Sequence, residues 1–265
     1  GYGTGTQLVR SKISCGTEII MKKLTLFILS AMLMLSGCGA GRENVTEKSS
    51  KLCVYTSFYA MYDFAKLIGG DRIDVYSMCP SSSEPHDYEP KTSDMAKLSE
   101  ADVFIYSGMG MESWAEKTVS SLKSSSLKVV EASDNIPYTA ENYDPHVWLN
   151  PENALHEMEN IKNAFCEKDS ENADYYNSNF KDCKEKTEKL INDYKTAAAS
   201  FKDRNVVVAH AAYGYLCDAF NLNQTSIENA SGEGEPSPAR MAEIIDFVKN
   251  NNIKYIFSQE LETTK

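Results

Sequence analysis

The sequence has little positive charge for its length. Its 265 residues include 27 Lys plus Arg against 38 Asp plus Glu, which gives a formal net charge of -11. Because an acidic chain is repelled by polyanions, we expect no nucleic-acid partner. With 42% hydrophobic and 25% charged residues the chain is neither disordered nor fibrous, and its length predicts about two globular domains.

The N-terminal region lacks an apolar run long enough to cross a membrane as a helix. Leu24 to Leu35 contains only twelve mostly apolar residues and follows the basic start Met21-Lys22-Lys23. This pattern is typical of a secretory signal peptide, although an ordinary buried helix starting at Leu24 is the alternative. The next residues, Leu35-Ser36-Gly37-Cys38, resemble the lipobox of bacterial lipoproteins, which implies that the Cys38 sulfur carries diacylglycerol.

We therefore interpret residues 21–37 as a lipoprotein signal peptide and residues 38–50 as the lipidated cysteine with a polar tether. This implies an extracytoplasmic protein that is either lipid-anchored to the bacterial cell membrane or periplasmic. Residues 1–20 precede the signal and begin with Gly, so we interpret them as an upstream artefact.

The chain has no C-x-x-C pair. Five cysteines follow Cys38, and an odd number cannot all pair within one chain. The sequence leaves open whether some form disulfides or all are small buried hydrophobic residues. These cysteines are Cys53, Cys79, Cys166, Cys183 and Cys217.

Short β-branched or apolar runs alternate with longer helical patterns from Lys51 onward, which predicts an α/β fold with mostly parallel sheets. We expect an N-terminal α/β lobe over residues 51–150, a helical segment over 151–201 and a C-terminal α/β lobe over 202–265. The predicted strands of the first lobe are Leu52–Thr56, Asp74–Met78, Val103–Tyr106 and Leu127–Val130, and its predicted helices are Phe58–Leu67, Ser93–Glu100 and Glu112–Ser124. The second lobe has predicted strands Val206–Ala209, Thr225–Ile227 and Lys254–Phe257, with helices from Tyr213 and over Pro238–Asn250.

Two helices are predicted between the lobes. Asn150-Pro151 offers an N-cap followed by Pro at the first helical position, and Ser170-Glu171 offers an N-cap with an acid in the first turn. No Gly or Pro interrupts residues 171–201, so one helix of up to about 45 Å could join the lobes rigidly. The last predicted strand has no helix to cover it, and we therefore expect the second lobe to be truncated.

Three of the four histidines lie where α/β proteins commonly place functional groups, in loops after the carboxyl ends of strands. His86 follows the second predicted strand, His146 directly precedes a predicted helix, and His210 follows the strand Val206–Ala209. The spacings of 60 and 64 residues exclude a local zinc finger, so the fold must assemble any site. Neutral imidazole suits zinc and is acceptable to manganese or iron, which makes these three residues candidate metal ligands.

His156, the fourth histidine, lies within a predicted helix as His156-Glu157-Met158-Glu159-Asn160. This is H-E-x-x-N, so the zinc-protease motif H-E-x-x-H lacks its second ligand. Carboxylates beside the other histidines, Asp87 and Asp144, are candidates for orienting the imidazoles.

Four segments in order resemble the signature segments of the zinc/manganese solute-binding lipoproteins of metal ABC importers, of the zinc-uptake type. They are Glu84-Pro85-His86-Asp87-Tyr88-Glu89-Pro90, Asp144-Pro145-His146-Val147-Trp148-Leu149-Asn150-Pro151, Ala209-His210-Ala211-Ala212-Tyr213-Gly214-Tyr215 and Gly234-Glu235-Pro236-Ser237-Pro238. The similarity extends from about Leu52 to the end of the chain. It implies two α/β lobes joined by a long rigid helix, with one metal ion bound in the cleft between them.

The resemblance implies that His86 and His146 are the two metal ligands of the N-terminal lobe and that His210 is the ligand of the C-terminal lobe. Manganese-specific members tend to have Glu at the position of His210, so the histidine favours Zn²⁺, with Mn²⁺ as the alternative. The chain has no His-rich acidic loop between His86 and His146, which many zinc members possess. The family's fourth ligand is an acid near the C-terminus; Glu84 and Glu260 are weaker candidates for that place.

The resemblance implies a monomeric binding protein, and not an enzyme, that delivers zinc to an ABC permease and its ATPase. A zinc hydrolase with a three-histidine ion is one alternative, and a surface adhesin whose metal site is structural is another.

Overall fold

The structure is a computed structural model that describes residues 51–122, 126–137, 144–231 and 236–259. Several predicted features lie outside the described residues: the signal peptide, the lipidation site Cys38, the tether and Glu260. Its strands are β1 (Leu52–Thr56), β2 (Ile73–Ser77), β3 (Val103–Tyr106), β4 (Lys128–Glu131), β5 (Asn205–Val208), β6 (Asn223–Ser226) and β7 (Ile256–Phe257). Its helices are α1 (Tyr59–Gly69), α2 (Thr92–Leu98), α3 (Ala115–Ser121), α4 (Pro151–Lys168), α5 (Ala173–Ala199), α6 (Gly214–Ala219) and α7 (Pro238–Asn250).

The first four strands form a parallel sheet in the order β2-β1-β3-β4. Side chains of β1 alternate between two cores, as the two-residue period of a strand requires. Leu52 and Val54 pack with residues of α1, α4 and α5, whereas Cys53 and Tyr55 pack with residues of α2 and α3. Helices therefore cover both faces of this sheet, which explains why β1 is buried at every position.

The last three strands form a second parallel sheet in the order β6-β5-β7. Val207 and Val208 are buried at the centre of this sheet, and Ile244 is the buried residue of α7. The prediction of mostly parallel sheets flanked by helices is thus confirmed in both parts of the chain. Because consecutive parallel strands run the same way, the loops that follow them gather at one edge of each sheet.

Helices α4 and α5 lie between the two sheets in the chain. The predicted cap of α4 is present, since Oδ1 of Asn150 accepts a hydrogen bond of 2.8 Å from the backbone N–H of Glu152. The predicted cap of α5 at Ser170 is wrong: Ser170–Asn172 form a 3₁₀ turn, and α5 begins at Ala173 without a side-chain cap. With 27 residues, α5 is about 40 Å long.

The predicted helix Glu112–Ser124 begins too early, because α3 starts at Ala115. Glu112 is buried in the preceding turn, where its carboxylate accepts hydrogen bonds from the backbone N–H groups of Ser107 and Gly108 and from the hydroxyl of Ser57. An acidic residue at this point is typical of a first helical turn. Here, however, its carboxylate accepts hydrogen bonds from the backbone of the loop that follows β3.

Burial raises the pKa of the thiols of Cys79 and Cys217 to about 11, and it also raises the pKa of Cys166 and Cys183. These four residues form no disulfide within the described part of the chain, and Cys53 is buried. They therefore act as small apolar side chains. Every helix of the described ranges is too short or too polar to cross a membrane.

Candidate metal centre

The three predicted ligands lie at the carboxyl edges of the two sheets. His86 is in the loop between β2 and α2, and His146 precedes the 3₁₀ turn Val147–Leu149 that leads into α4. His210 lies two residues after β5, the central strand of the second sheet. Loops from both sheets thus carry the three rings to one place.

The ring nitrogens of these histidines are close enough to share one ion. One ligand atom of each of His86, His146 and His210 lies within 4.8 Å of the others. Nε2 of His86 and Nε2 of His146 are 3.1 Å apart. Tetrahedral zinc with Zn–N bonds of about 2.0–2.1 Å separates two ligand nitrogens by roughly 3.3 Å, so these two rings need to move very little to accept it.

Asp144 fixes the orientation of His146. Its Oδ1 lies 2.8 Å from Nδ1 of the ring and also accepts the backbone N–H of His146 at 3.0 Å. Because a carboxylate only accepts hydrogen bonds, Nδ1 carries the proton and Nε2 keeps its lone pair. Nε2 of His86 therefore donates to Nε2 of His146, and the nitrogen that His146 directs at the other rings is the one that can bind metal.

Aromatic packing supports the same loop from behind. The ring of Trp148 lies 5.3 Å from that of His146 and 5.0 Å from that of Phe58, measured between centroids. Phe58 belongs to the loop between β1 and α1 and is buried. The side chains of Phe58 and Trp148, from two separate loops of the first sheet, therefore pack behind His146.

The three rings differ in their exposure. His146 and His210 are buried, whereas His86 is half-buried. Burial, and then the neighbouring rings of His146 and His210, lower the pKa of His86 to about 4, although the charges of Asp87 and Asp144 oppose this. His86 therefore stays neutral, and able to bind metal, through the ordinary pH range.

A cleft of about 630 Å³ opens beside the cluster. Its walls come from loops of both sheets and include Phe58, Tyr59, Cys79, Pro80, Ser81, Ser83, Glu84, Pro85, Tyr213, Ser258 and Gln259. Pro85 directly precedes His86, and Gln259 contacts the ring of His210, so the cleft borders the cluster.

Other predicted candidates contribute less to the cluster. His156 lies on α4, and its Nε2 contacts the carbonyl oxygen of Asp134 at 2.7 Å, so it is not among the clustered rings. Glu84 lines the cleft, and its Oε1 accepts the backbone N–H of His86 at 3.4 Å. Asp87 affects His86 through its charge.

Sequence reasoning missed the groups that surround His210. The carbonyl oxygen of Ala230 lies 3.0 Å from Nε2, and Nε2 of Gln259 lies 3.0 Å from Nδ1. Ala230 follows β6 and Gln259 follows β7, the two strands that neighbour β5. The strand order is the signal that would place both residues beside His210, and the sequence alone does not give it. Gly214 was also missed: a Cβ at this position would lie 2.7 Å from Oδ2 of Asp144.

Comparison with known proteins agrees with this geometry. Residues 54–265 match the model of the family described as "Zinc-uptake complex component A periplasmic". The chain belongs to this family. It is 33% identical over 260 residues to the high-affinity zinc uptake system protein ZnuA of Bacillus subtilis, an alignment that covers 91% of this chain and 82% of the relative.

Two solved structures from streptococci are similar in fold and sequence. The Zn(II)-bound ZnuA-like domain of Streptococcus pneumoniae AdcA is 33% identical, with a TM-score of 0.72 over 80% of this chain and 79% of that chain. The laminin-binding protein Lmb of Streptococcus agalactiae, described as bifunctional with adhesin and metal-transporting activity, is 33% identical, with a TM-score of 0.75 over 80% of this chain and 81% of that chain. The family prediction made from the motifs is confirmed.

Proposed function

We propose that this protein captures Zn²⁺ outside the cytoplasmic membrane and delivers it to an ABC permease and its ATPase. The observation that carries the proposal is the cluster of three imidazoles, with Nε2 of His86 and Nε2 of His146 3.1 Å apart. Membership of a zinc-uptake family supports the transport role. Zinc is the cargo, so the protein binds and releases it without a chemical transformation.

His86, His146 and His210 are the proposed ligands. Three neutral nitrogen donors suit Zn²⁺ better than Mn²⁺, which prefers carboxylate and water oxygens. Asp144 supports this role because an acceptor on Nδ1 raises the basicity of the ligating imidazole. The fourth position is taken by a carboxylate or by water.

The location and state of the protein are further parts of the proposal. We propose that residues 21–37 direct export and that lipid on Cys38 anchors a monomer to the bacterial cell membrane. Relatives named as zinc-binding lipoproteins, such as that of Streptococcus pneumoniae, support an extracytoplasmic location. Incorporation of labelled palmitate into the native protein and its loss in Cys38→Ala would test the anchor.

Competitive titration of metal-stripped protein with zinc and manganese tests the function. We expect one equivalent of zinc to bind, to be preferred over manganese, and to be lost in His210→Ala. His156→Ala is the matched control, since this histidine lies outside the cluster and should leave binding unchanged. Preference for manganese, or equal loss in both variants, would contradict the proposal.

Adhesion is a second candidate function, favoured by the similarity to the laminin-binding protein of Streptococcus agalactiae. A direct test measures binding of the folded protein and of His86→Ala to immobilised laminin, with and without zinc. Binding by both forms would support an adhesin whose metal site is dispensable, and binding by neither would leave metal delivery as the function.

A further inference from the structure

Loops from both neighbouring strands reach the ring of His210. On the side of β6, the carbonyl oxygen of Ala230 lies 3.0 Å from Nε2. On the side of β7, Nε2 of Gln259 lies 3.0 Å from Nδ1. The backbone places Gln259 here because the N–H of Ala209 bonds to the carbonyl of Phe257 at 2.8 Å, which keeps the loop after β7 beside the loop after β5. Both nitrogens of this buried ring therefore contact protein groups.

The chemistry of the partners fixes the direction of these hydrogen bonds. A carbonyl oxygen only accepts, so Nε2 of His210 carries the proton and donates to Ala230. A neutral imidazole has one N–H, so Nδ1 accepts and the amide of Gln259 donates. A metal ion bonds to a ring nitrogen through its lone pair, and neither nitrogen of His210 has a lone pair free in this arrangement.

Either route to metal ligation changes the contact with Gln259. If Nδ1 binds the ion, the amide of Gln259 must leave. If Nε2 binds it, the bond to Ala230 breaks and the ring proton moves to Nδ1, so that Gln259 must turn its amide oxygen toward the ring. A metal-bound histidine commonly donates its second N–H to such an acceptor.

The other two rings are less constrained. Asp144 already holds His146 with the lone pair of Nε2 directed at His86. No protein group among the described residues holds Nδ1 of His86, and this half-buried ring can exchange its proton with water. The contact between Nε2 of His86 and Nε2 of His146 lies within the ligand set, so an ion that enters between them replaces it. His210, in contrast, must first release Ala230 or Gln259, which are not ligands.

We propose that Gln259 is a positioning residue that restrains the ring of His210 until an ion has bound to His86 and His146, so that capture proceeds in two steps. The inference rests on the proposed function, because it concerns the order in which the same three ligands engage zinc. It predicts a fast first encounter on the side of the first sheet, followed by a slower closure from the second sheet.

The hydrogen-bond pattern can be tested without zinc. Long-range ¹H–¹⁵N spectra of metal-stripped protein labelled with ¹⁵N-histidine report which ring nitrogen carries the proton. We expect the proton of His210 on Nε2, and of His146 on Nδ1, as the acceptors Ala230 and Asp144 require. A proton on Nδ1 of His210 would overturn the inference whatever the protein transports, and this measurement needs only the native chain.

The order of binding is tested by stopped-flow mixing of metal-stripped protein with zinc. We expect two phases, of which the slower becomes roughly three- to tenfold faster in Gln259→Leu, because one hydrogen bond on the ring is lost. Asn250→Leu, which removes an exposed amide of α7 outside the cleft wall, should leave both phases unchanged. A single phase, or a slow phase that Gln259→Leu does not alter, overturns the inference alone, whereas failure of the native protein to bind zinc overturns the proposed function as well.

Discussion

Asp144 contacts both parts of the site through its two carboxylate oxygens. Oδ1 accepts hydrogen bonds from the ring and the backbone N–H of His146. Oδ2 faces Gly214, the first residue of α6, where even a methyl group would lie only 2.7 Å from it. Gly214, next to the second sheet, thus borders the carboxylate of Asp144, which orients the proposed ligand His146.

Replacement of Asp144 tests the importance of its charge. In Asp144→Asn an oxygen can still accept from Nδ1, but the negative charge that strengthens the imidazole as a donor to metal is lost. We expect zinc affinity to fall by roughly tenfold to a hundredfold. Competition against a fluorescent chelator would measure it, with the exposed Asp246→Asn on α7 as the control. Unchanged affinity would show that Asp144 is not needed to orient the ring.

Replacement of Gly214 tests the close approach from the other side. We expect Gly214→Ala to destabilise the protein by about 1–3 kcal/mol, because the new methyl group overlaps Oδ2 of Asp144. In an Asp144→Ala background the overlap is absent, so the same substitution should have a smaller effect. Urea unfolding of the four proteins of this cycle provides the measurement, and strictly additive effects would contradict the contact.

Helix α4 carries a buried acid whose role differs from that of the ligands. Glu157 is fully buried, and neither of its carboxylate oxygens makes a hydrogen bond of good geometry within the described residues. Burial and the charge of Glu112 raise its pKa to about 8, while the nearby hydroxyl of Ser107 opposes this. Glu157 is therefore protonated at neutral pH in the folded protein.

This protonation makes the stability of the fold depend on pH. In the unfolded chain Glu157 loses its proton near pH 4.5, but in the folded protein it keeps it up to about pH 8. The folded state thus binds more protons between these values, and the free energy of unfolding falls as the pH rises. We expect a loss on the order of 3 kcal/mol from pH 5 to pH 8, which Glu157→Gln should largely abolish.

Urea unfolding of metal-stripped protein at pH 5, 6.5 and 8 would measure this dependence. Glu159→Gln is a suitable control because Glu159 lies on the exposed side of the same helix. The idea fails if the native protein and Glu157→Gln lose stability in parallel as the pH rises.

At the scale of helices and strands, the sequence predicted the features that neighbouring residues determine, such as strand bounds and helix caps. β1 was predicted at its observed bounds because a fully buried run of five residues has a clear apolar pattern. The cap at Asn150 was predicted because Asn followed by Pro is a typical helix start, in which the Asn side chain accepts a hydrogen bond from a free backbone N–H of the first turn. Glu112 was misassigned because its carboxylate binds the loop after β3 and also Ser57, which is distant in sequence. Ser170 was misassigned because a 3₁₀ turn precedes α5.

At the scale of the whole molecule, the sequence indicated the three histidines but not their arrangement. Spacings of 60 and 64 residues carry no information on distance, and the strand orders β2-β1-β3-β4 and β6-β5-β7 bring the loops together. The contacts of His210 with Ala230 and Gln259 depend on that order, so no local pattern could predict them. The assignment of the three rings as ligands stays a prediction until metal is bound.

Zinc should stabilise the whole molecule, because it binds the folded site and not the unfolded chain. At a concentration a thousandfold above Kd the gain is about 4 kcal/mol, which would raise Tm by roughly 10 °C for a protein of this size. The gain should shrink as the pH falls toward 4, where His86 gains its proton and can no longer bind metal.

Thermal unfolding with and without zinc at pH 7.5 and pH 4 checks this expectation, with manganese as the comparison. A shift in Tm that is as large at pH 4 as at pH 7.5 would show that zinc acts at a site without His86.

The size of the cleft bears on how an ion enters. A volume of about 630 Å³ equals the share of liquid occupied by roughly twenty water molecules at about 30 Å³ each. This space is large enough to hold an ion with its water shell beside Gln259, which contacts His210. Replacement of water by imidazole one ligand at a time would avoid the large energy of removing the whole water shell in a single step.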